Sequence, residues 1–210
     1  MTRLATTISA LRTAGSMYRY NRIVRMVQGL AFTERDEARS RYLRFEYAEP
    51  VLLSDIAHKV GFDYAVWALR GVEGSERNAR LFAVWCARQV ERLMIFERSA
   101  VTLGVAERFA NGLTRPEVFA AARKEAEDAV RARLAADPTN RAAFSAARCA
   151  ADTANDDPWQ ATTSATAAAA TALMKAAPQH EADAAWEAAR AAQLDMFLKM
   201  CDGGAPWQAA

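Results

Sequence analysis

Apolar residues recur along the chain three or four positions apart. Leu52, Leu53, Ile56 and Val60 form one such stripe, which ends at Gly61. This spacing places the side chains on one face of an α-helix. Alternating runs of Val, Ile and Thr bounded by turn pairs, which indicate strands, do not occur in the sequence. The pattern therefore predicts helices along nearly the whole chain.

Proline, glycine and small polar residues predict where these helices begin and end. Pro50 and Pro138 each end a helix, because proline lacks the amide hydrogen that a helix interior needs. Thr114 and Glu117 form a capping box around Pro116, which is favourable in the first helical turn. The boundaries predict helices over 34–47, 76–96, 114 to about 137, roughly 140–153, and onward from 158 and from 178.

The amino-acid composition narrows the fold class. Of the 210 residues 49 are alanine, and 36 of these follow Val101. Alanine is the strongest helix former, and its small side chain lets helix axes approach closely. We predict an all-α fold: a single-domain array or bundle of about eight helices with an Ala-rich, close-packed C-terminal half, in which Trp159 and Trp186 fill the remaining gaps. The predicted organisation is a basic helical N-terminal section at 1–48, a helical core domain at 49–202 and a flexible tail at 203–210.

Positive charge is concentrated near the start of the chain, although the net charge is only +2. Residues 1–44 hold nine arginines and three acidic residues, which leaves 18 basic and 22 acidic residues for the remainder. Three interpretations stay open: a solvated helix face, a surface for an acidic partner or nucleic acid, and a cleaved organellar transit peptide. If the arginines form a binding surface, we expect it to include Arg12, Arg19, Arg22 and Arg25.

Catalytic and metal-binding chemistry is poorly represented in the sequence. His58 and His180 are the only histidines, and none of the common nucleotide-binding, hydrolase or metalloprotease motifs occurs. Cys86, Cys149 and Cys201 include no CxxC pair and are expected to be buried small residues in a reducing cytosol. No apolar run reaches the roughly 18–20 residues of a membrane span. We therefore predict a cytoplasmic, non-enzymatic protein without catalytic residues, metal ligands, cofactors or a membrane association.

Residues 53–62, followed by 63–70, resemble the helix-turn-helix of AraC-type transcription regulators. Small Ala57 at the helix crossing and Gly61 at the turn are residues that this motif needs sterically. Because the second segment is almost entirely apolar and offers one arginine, a buried helix is the competing interpretation. The resemblance to a DNA-binding motif implies three candidate residues, which are Lys59, Tyr64 and Arg70.

A second resemblance spans roughly residues 63–201. It is carried by the segments DYAVWALR at 63–70, RLFAVWCARQV at 80–90 and VAERFANG at 105–112, followed by Ala-rich helices. These segments resemble an uncharacterised group of helical proteins from phage and bacterial genomes, and more distantly the Imm-5-like family of immunity proteins. The resemblance implies an all-helical fold and supplies no catalytic residues. From the helical spacing, we also expect Arg88 and Arg92 to snorkel or to pair with Glu107 of the next helix.

Together these observations predict a non-enzymatic protein-binding module with a protein partner. The second resemblance implies a phage accessory or immunity-like protein that acts on a host or defence protein, in the host cytoplasm. The alternatives are a helix-turn-helix DNA-binding regulator at residues 53–70 and a virion structural component. The Ala-rich helices also favour a homodimer, because small residues allow two helices to approach closely.

Overall fold

The computed structural model describes residues 3–95, 97–137 and 139–208. These residues are predominantly helical, which confirms the predicted all-α class. They form eleven α-helices rather than about eight, because four of the helices span only four to seven residues. The helices are α1 (Ile8–Thr13), α2 (Met17–Val27), α3 (Glu34–Glu37), α4 (Leu53–Lys59), α5 (Phe62–Ala68), α6 (Glu76–Arg88), α7 (Glu97–Ala110), α8 (Pro116–Ala136), α9 (Arg141–Thr153), α10 (Pro158–Ala176) and α11 (Ala182–Cys201). Two predicted helix ends, Phe96 and Pro138, lie outside the described residues. The helix predicted over 76–96 is too long, because α6 ends at Arg88 and only a short 3₁₀ turn at Glu91–Leu93 follows.

Two short strands accompany the helices. β1 (Ala5–Thr6) and β2 (Val51–Leu52) pair in antiparallel fashion, with Ala5 opposite Leu52. The hydroxyl of Thr6 also donates a hydrogen bond of 2.7 Å to the carbonyl of Gly71. These strands were not predicted, because two residues are too few to show an alternating pattern.

The chain divides into two compact units. The first contains the residues up to Ser75 together with those from Met196 onward, and the second spans Glu76–Asp195. These boundaries do not coincide with those predicted at residues 48 and 202. The described part of the predicted flexible tail is also folded: Ala205 is buried, and the Gln208 side chain donates a hydrogen bond of 3.1 Å to the carbonyl of Met200.

In the first unit, the segment predicted as a helix over 34–47 is helical only in α3. Beyond α3 its backbone bonds to side chains of α2 instead. Asn21 Oδ1 accepts from the Leu43 amide at 2.9 Å, and Asn21 Nδ2 donates to the Arg41 carbonyl at 3.2 Å. The helix prediction was wrong because this charged segment has too few apolar residues to bury a continuous helix face.

In the second unit, buried alanines line the contacts between helices. Helix α10 packs against α6 and α9, and the Thr162 hydroxyl of α10 donates a hydrogen bond of 2.8 Å to the Ala79 carbonyl of α6. Ordering an alanine side chain costs almost no conformational entropy, so these contacts oppose folding little. The alanines in these three helices that are at most 1% exposed include Ala79, Ala83, Ala146, Ala150, Ala161, Ala165, Ala169, Ala170 and Ala172.

A buried arginine joins α6 to the segment between α9 and α10. Arg80 is 7% exposed, and it donates hydrogen bonds to the carbonyls of Asn155 at 2.6 Å and Asp156 at 2.5 Å. Its guanidinium carbon lies 5.2 Å from the ring centroid of Phe109 and 5.0 Å from that of Phe119. Arg80 and Phe109 belong to two of the segments that carry the second resemblance, and the contact explains both as parts of one core.

Ion pairing on the surface of the second unit also links α6 to α7. Arg88 Nη2 lies 2.5 Å from Glu107 Oε2, which confirms the pairing expected for that arginine. Just after the end of α7, Asn111 Oδ1 accepts two hydrogen bonds from the guanidinium of Arg77, at 3.0 and 2.7 Å. The segments at 80–90 and 105–112 therefore meet through the Arg88–Glu107 pair.

Candidate partner-binding site

Helix α2 carries three of the four arginines predicted to form a binding surface. Its apolar face is buried through Tyr20, Ile23 and Val24, whereas Arg19, Arg22 and Arg25 are half-buried at its edges. Arginine can bury its aliphatic stem beside apolar neighbours while its guanidinium stays near solvent. The helix therefore presents three cations beside an apolar core.

Arg22 lies among three aromatic rings. Its guanidinium carbon is 4.8 Å from the ring centroid of Phe32, 5.4 Å from that of Tyr18 and 5.5 Å from that of Tyr64. The faces of aromatic rings attract a cation, so the rings stabilise the charge of Arg22. Its Nε atom is buried and has no hydrogen-bond partner among the described residues. Burial, together with a hydrogen bond to Tyr18, raises the pKa of the Tyr64 hydroxyl, which keeps that ring neutral.

Arg25 has an internal partner. Its guanidinium forms a bidentate pair with Asp36, with Nε–Oδ2 at 3.0 Å and Nη2–Oδ1 at 2.5 Å. Asp36 is 2% exposed, and hydrogen bonding to Arg25 holds the pKa of its carboxyl well below the usual range. Asp36 also forms a capping box with Thr33 at the start of α3. This pair fixes the chain that follows α2 and thereby holds Phe32 beside Arg22.

A pocket of about 290 Å³ opens next to these residues. Its rim combines cations with the exposed side chain of Leu30, which is 53% exposed. Lys59, at the end of α4, contributes a further exposed cation and lies 3.9 Å from Asp55. We call this site the basic–aromatic pocket; it is lined by Arg22, Arg25, Met26, Leu30, Ala31, Phe32, Lys59 and Val60.

The structure brings together some of the predicted residues and separates others. Arg22, Arg25 and Lys59 line the basic–aromatic pocket, and Tyr64 contacts Arg22 at its edge. Arg19 donates a hydrogen bond of 3.4 Å to the Asp63 carbonyl, next to Tyr64 in the chain. Residues predicted for two different surfaces, the arginine surface and the helix-turn-helix, thus belong to one site.

Two predicted residues lie elsewhere in the first unit. The guanidinium of Arg12 is 5.8 Å from the ring centroid of Tyr42, and Arg12 lines a different cavity of about 520 Å³ together with Phe45 and Tyr47. Arg70 is half-buried, and its Nε atom is buried without a hydrogen-bond partner among the described residues. Neither residue lines the basic–aromatic pocket.

Helices α4 and α5 have the order of a helix-turn-helix, with a turn at Gly61 whose φ is +132°. The second helix of such a motif must present polar side chains to base edges. In α5, the residues Ala65–Ala68 are buried and Asp63 is exposed, so the exposed side chain of the helix is acidic. The interior position of α5 favours the buried-helix interpretation of this segment.

The apolar part of the basic–aromatic pocket was not predicted from the sequence. Met26, Leu30 and Phe32 follow Arg22, but only the fold of the chain after α2 brings them beside it. One signal was present in the sequence: Tyr18 precedes Arg22 by four positions, the spacing at which helical side chains meet. Thr33 and Asp36 also have the spacing of a capping box.

A second polar cavity lies in the second unit between α8 and α9, with a volume of about 260 Å³. Two carboxylates reach it, and each is paired with arginine: Glu127 with Arg123 at 3.1 Å, and Asp152 with Arg148 at 3.0 Å. Burial raises the pKa of Asp152, while Arg148 acts in the opposite direction. Because both carboxylates are held by arginine, neither is presented as a free acid or base.

The described part of the chain holds three cysteines and few other groups that could carry chemistry outside these cavities. The three cysteines are free thiols and are buried, as expected, and burial raises the pKa of Cys201 to about 12. Among the described residues, no three metal-ligating side chains come together. None of the described helices has the length and hydropathy that a bilayer crossing requires. Comparison of the chain with protein-family models, curated proteins and solved structures yields no match.

Proposed function

We propose that the protein is a non-enzymatic protein-binding module, and that the basic–aromatic pocket receives an acidic segment of a partner protein. The observation that carries this proposal is the convergence of Arg22 and Lys59, two cations predicted for separate surfaces, on one pocket with an exposed leucine. Arginine and tyrosine, with tryptophan, are enriched among the residues that carry most of the binding energy of protein interfaces. Tyr18 and Tyr64 supply the tyrosines at this site.

The positive charges of Arg22 and Lys59 favour an acidic partner. The ion pairs within the described residues do not include Arg22, and the pair between Lys59 and Asp55 is exposed and long at 3.9 Å. A long surface pair of this kind is weak. A carboxylate on the partner would give Arg22 the charged acceptor that it lacks and would compete with Asp55 for Lys59.

The apolar residues of the pocket favour a partner segment that also carries an apolar side chain. Met26, Leu30, Phe32 and Val60 line the same pocket as the two cations. A partner segment that places an apolar side chain next to its carboxylate would bury Leu30 while the carboxylate meets Arg22. Burial of apolar area supplies affinity, and the charges supply orientation and a fast encounter.

In this proposal the Ala-rich helices of the second unit act as a scaffold. We propose that the Ala-rich helices pack closely and that the biology resides on exposed surfaces, with a homodimer as a further option. Light scattering on the purified protein measures the oligomeric state directly. The resemblance to phage and bacterial proteins suggests a host or defence protein as the partner.

The proposal is tested by quantitative affinity capture from the cells in which the protein is naturally made. A double variant, Arg22→Gln with Lys59→Gln, is compared with wild type and with the control Arg131→Gln, an exposed arginine on α8. We expect a defined partner whose recovery falls by about tenfold or more in the double variant and is unchanged in the control. Equal recovery by all three proteins would contradict the proposal.

A second variant separates loss of binding from loss of folding. Leu30→Ala removes an exposed side chain and no charge, so we expect an unchanged Tm together with weaker capture of the same partner. Capture should also weaken as salt concentration rises, because dissolved ions screen the attraction between exposed charges, over a distance of about 10 Å at 0.1 M that shortens at higher salt.

The order of α4, Gly61 and α5 favours one alternative, a helix-turn-helix DNA-binding regulator. That alternative predicts salt-sensitive binding to duplex DNA that is weakened by Lys59→Ala and by Arg70→Ala. Fluorescence anisotropy with labelled duplex DNA at low salt decides between the two functions. Protein binding as proposed here predicts no such effect of Arg70→Ala.

A further inference from the structure

The second unit contains a cavity that is larger than the three described above and that the proposed function does not use. It has a volume of about 580 Å³ and lies where the start of α9, the end of α10 and the start of α11 meet. Ligand pockets in proteins have volumes of about 300–1,000 Å³. The cavity is lined by Thr139, Asn140, Arg141, Ala142, Met174, Lys175, Ala177, Gln179, Ala182 and Asp183.

Two cations reach this cavity. Lys175 is half-buried, and its Nζ donates a hydrogen bond of 3.1 Å to the hydroxyl of buried Ser145, which holds the ammonium in place. Arg141 is exposed. The ion pairs within the described residues include neither cation. Asp183 also lines the cavity and takes part in none of those pairs.

The two cations influence each other. Burial lowers the pKa of Lys175, and the nearby charge of Arg141 lowers it further. A dianion placed between them would remove this repulsion and favour the charged lysine. Arg141 can bind a phosphate through two parallel hydrogen bonds, while Lys175 acts as a point charge.

We propose that this cavity binds a small phosphomonoester with a hydroxylated body. The phosphate matches the two positive charges, and it carries close to two negative charges at pH 7. The Oδ1 of Asn140 caps α9 by accepting a hydrogen bond of 3.1 Å from the Ala143 amide, so its Nδ2 is the group left for a ligand. Together with the amide of Gln179 and the carboxylate of Asp183, which also line the cavity, it can hydrogen-bond hydroxyl groups on the rest of the ligand. A cavity several times larger than a phosphate ion has room for that body.

Isothermal titration calorimetry of the full chain with ribose 5-phosphate tests the proposal, with ribose as the neutral control and inorganic phosphate as the fragment. We expect saturable binding of ribose 5-phosphate, weaker binding of phosphate and none of ribose. Arg141→Gln and Lys175→Met should each weaken ribose 5-phosphate by about tenfold or more. The matched controls Arg131→Gln and Lys124→Met, at exposed positions of α8, should leave it unchanged.

Two outcomes would overturn the proposal: no saturable binding by the wild-type chain, or equal binding by the cavity variants and their controls. Equal binding of phosphate and ribose 5-phosphate would also contradict it, because the rest of the cavity would then contribute nothing. Thermal unfolding of each variant shows whether it is folded, and Arg141→Gln changes an exposed side chain.

Discussion

At the scale of single residues, three arginines show how the surroundings decide the role of one side chain. Arg22 lies among aromatic rings at the edge of a pocket, and Arg25 is paired with Asp36. Arg80 is buried and donates hydrogen bonds to main-chain carbonyls. From the sequence, Arg22 and Arg25 were both predicted to lie on one helix and to belong to one binding surface. Asp36, Phe32 and Tyr64 lie outside α2, so only the fold distinguishes a candidate binding residue from a structural one.

Arg80→Met is predicted to destabilise the second unit. Methionine keeps much of the apolar stem but leaves the carbonyls of Asn155 and Asp156 without their charged donor. We expect a loss of about 3 kcal/mol in the free energy of unfolding, measured by urea denaturation. Arg80→Lys should recover part of it, because an ammonium keeps the charge without the planar fork. A change below about 0.5 kcal/mol would show that the two hydrogen bonds are unimportant.

Asp36→Asn is predicted to change how stability depends on pH. The folded-state pKa of Asp36 lies below its unfolded value of about 3.9, so its contribution is complete above that value and is lost as pH falls through the folded pKa. We expect the Tm of wild type to decrease steadily below about pH 4. The Tm of the variant should be lower than that of wild type at pH 7 and should decrease less as the pH falls. Parallel Tm curves for the two proteins between pH 7 and pH 2 would refute this role.

At the scale of elements, the chain after α3 shows a segment whose structure is set by its neighbours. Its main-chain groups bond to Asn21 and Tyr20 of α2 rather than to one another. A buried backbone amide must find a partner, and here the partner is a side chain more than twenty positions away. The anchoring side chain is therefore more important for this segment than its own helix propensity.

Asn21→Ala tests this anchoring. The variant leaves the Leu43 amide and the Arg41 carbonyl without their side-chain partner, and we expect a loss of about 2 kcal/mol in the free energy of unfolding. Limited trypsin digestion should then cleave first near the arginines of residues 38–50. Asn21→Asp keeps the acceptor for Leu43 and should lie between the two. Unchanged cleavage sites in Asn21→Ala would argue against the anchor.

The same scale shows how far the sequence determines the fold. The start of α10 was predictable, because Asp157 accepts hydrogen bonds from the amides of Trp159 and Gln160 and Pro158 occupies the first turn, all within one short segment. The limits of α8 and α9 were predicted to within a few residues for the same reason. The strand pair and the chain after α3 were missed, because their hydrogen bonds join residues far apart in sequence. The site was half predictable: its cations were visible, but the placement of Leu30 and Phe32 depends on the tertiary pair of Arg25 with Asp36.

At the scale of the whole molecule, the positive charge and the two proposed sites are divided between the two units of the chain. The first unit contains the Arg-rich residues 1–44 and the basic–aromatic pocket, and the second contains the Ala-rich helices and the larger cavity. A net charge of +2 hides this difference. We therefore expect partner binding and phosphomonoester binding to be removed separately, by variants in the first and second units respectively.

Site-specific photo-crosslinking tests the partner-binding site most directly. A photoreactive phenylalanine analogue replaces Leu30 in the first unit or Leu134 in the second, two leucines with nearly equal exposure of 53% and 52%. After irradiation in the cells that naturally make the protein, we expect one dominant crosslinked partner from position 30, lost when Arg22→Gln and Lys59→Gln are added, and no such product from position 134. The same products from both positions, or a product at position 30 that persists in the double variant, would contradict the assignment of the basic–aromatic pocket.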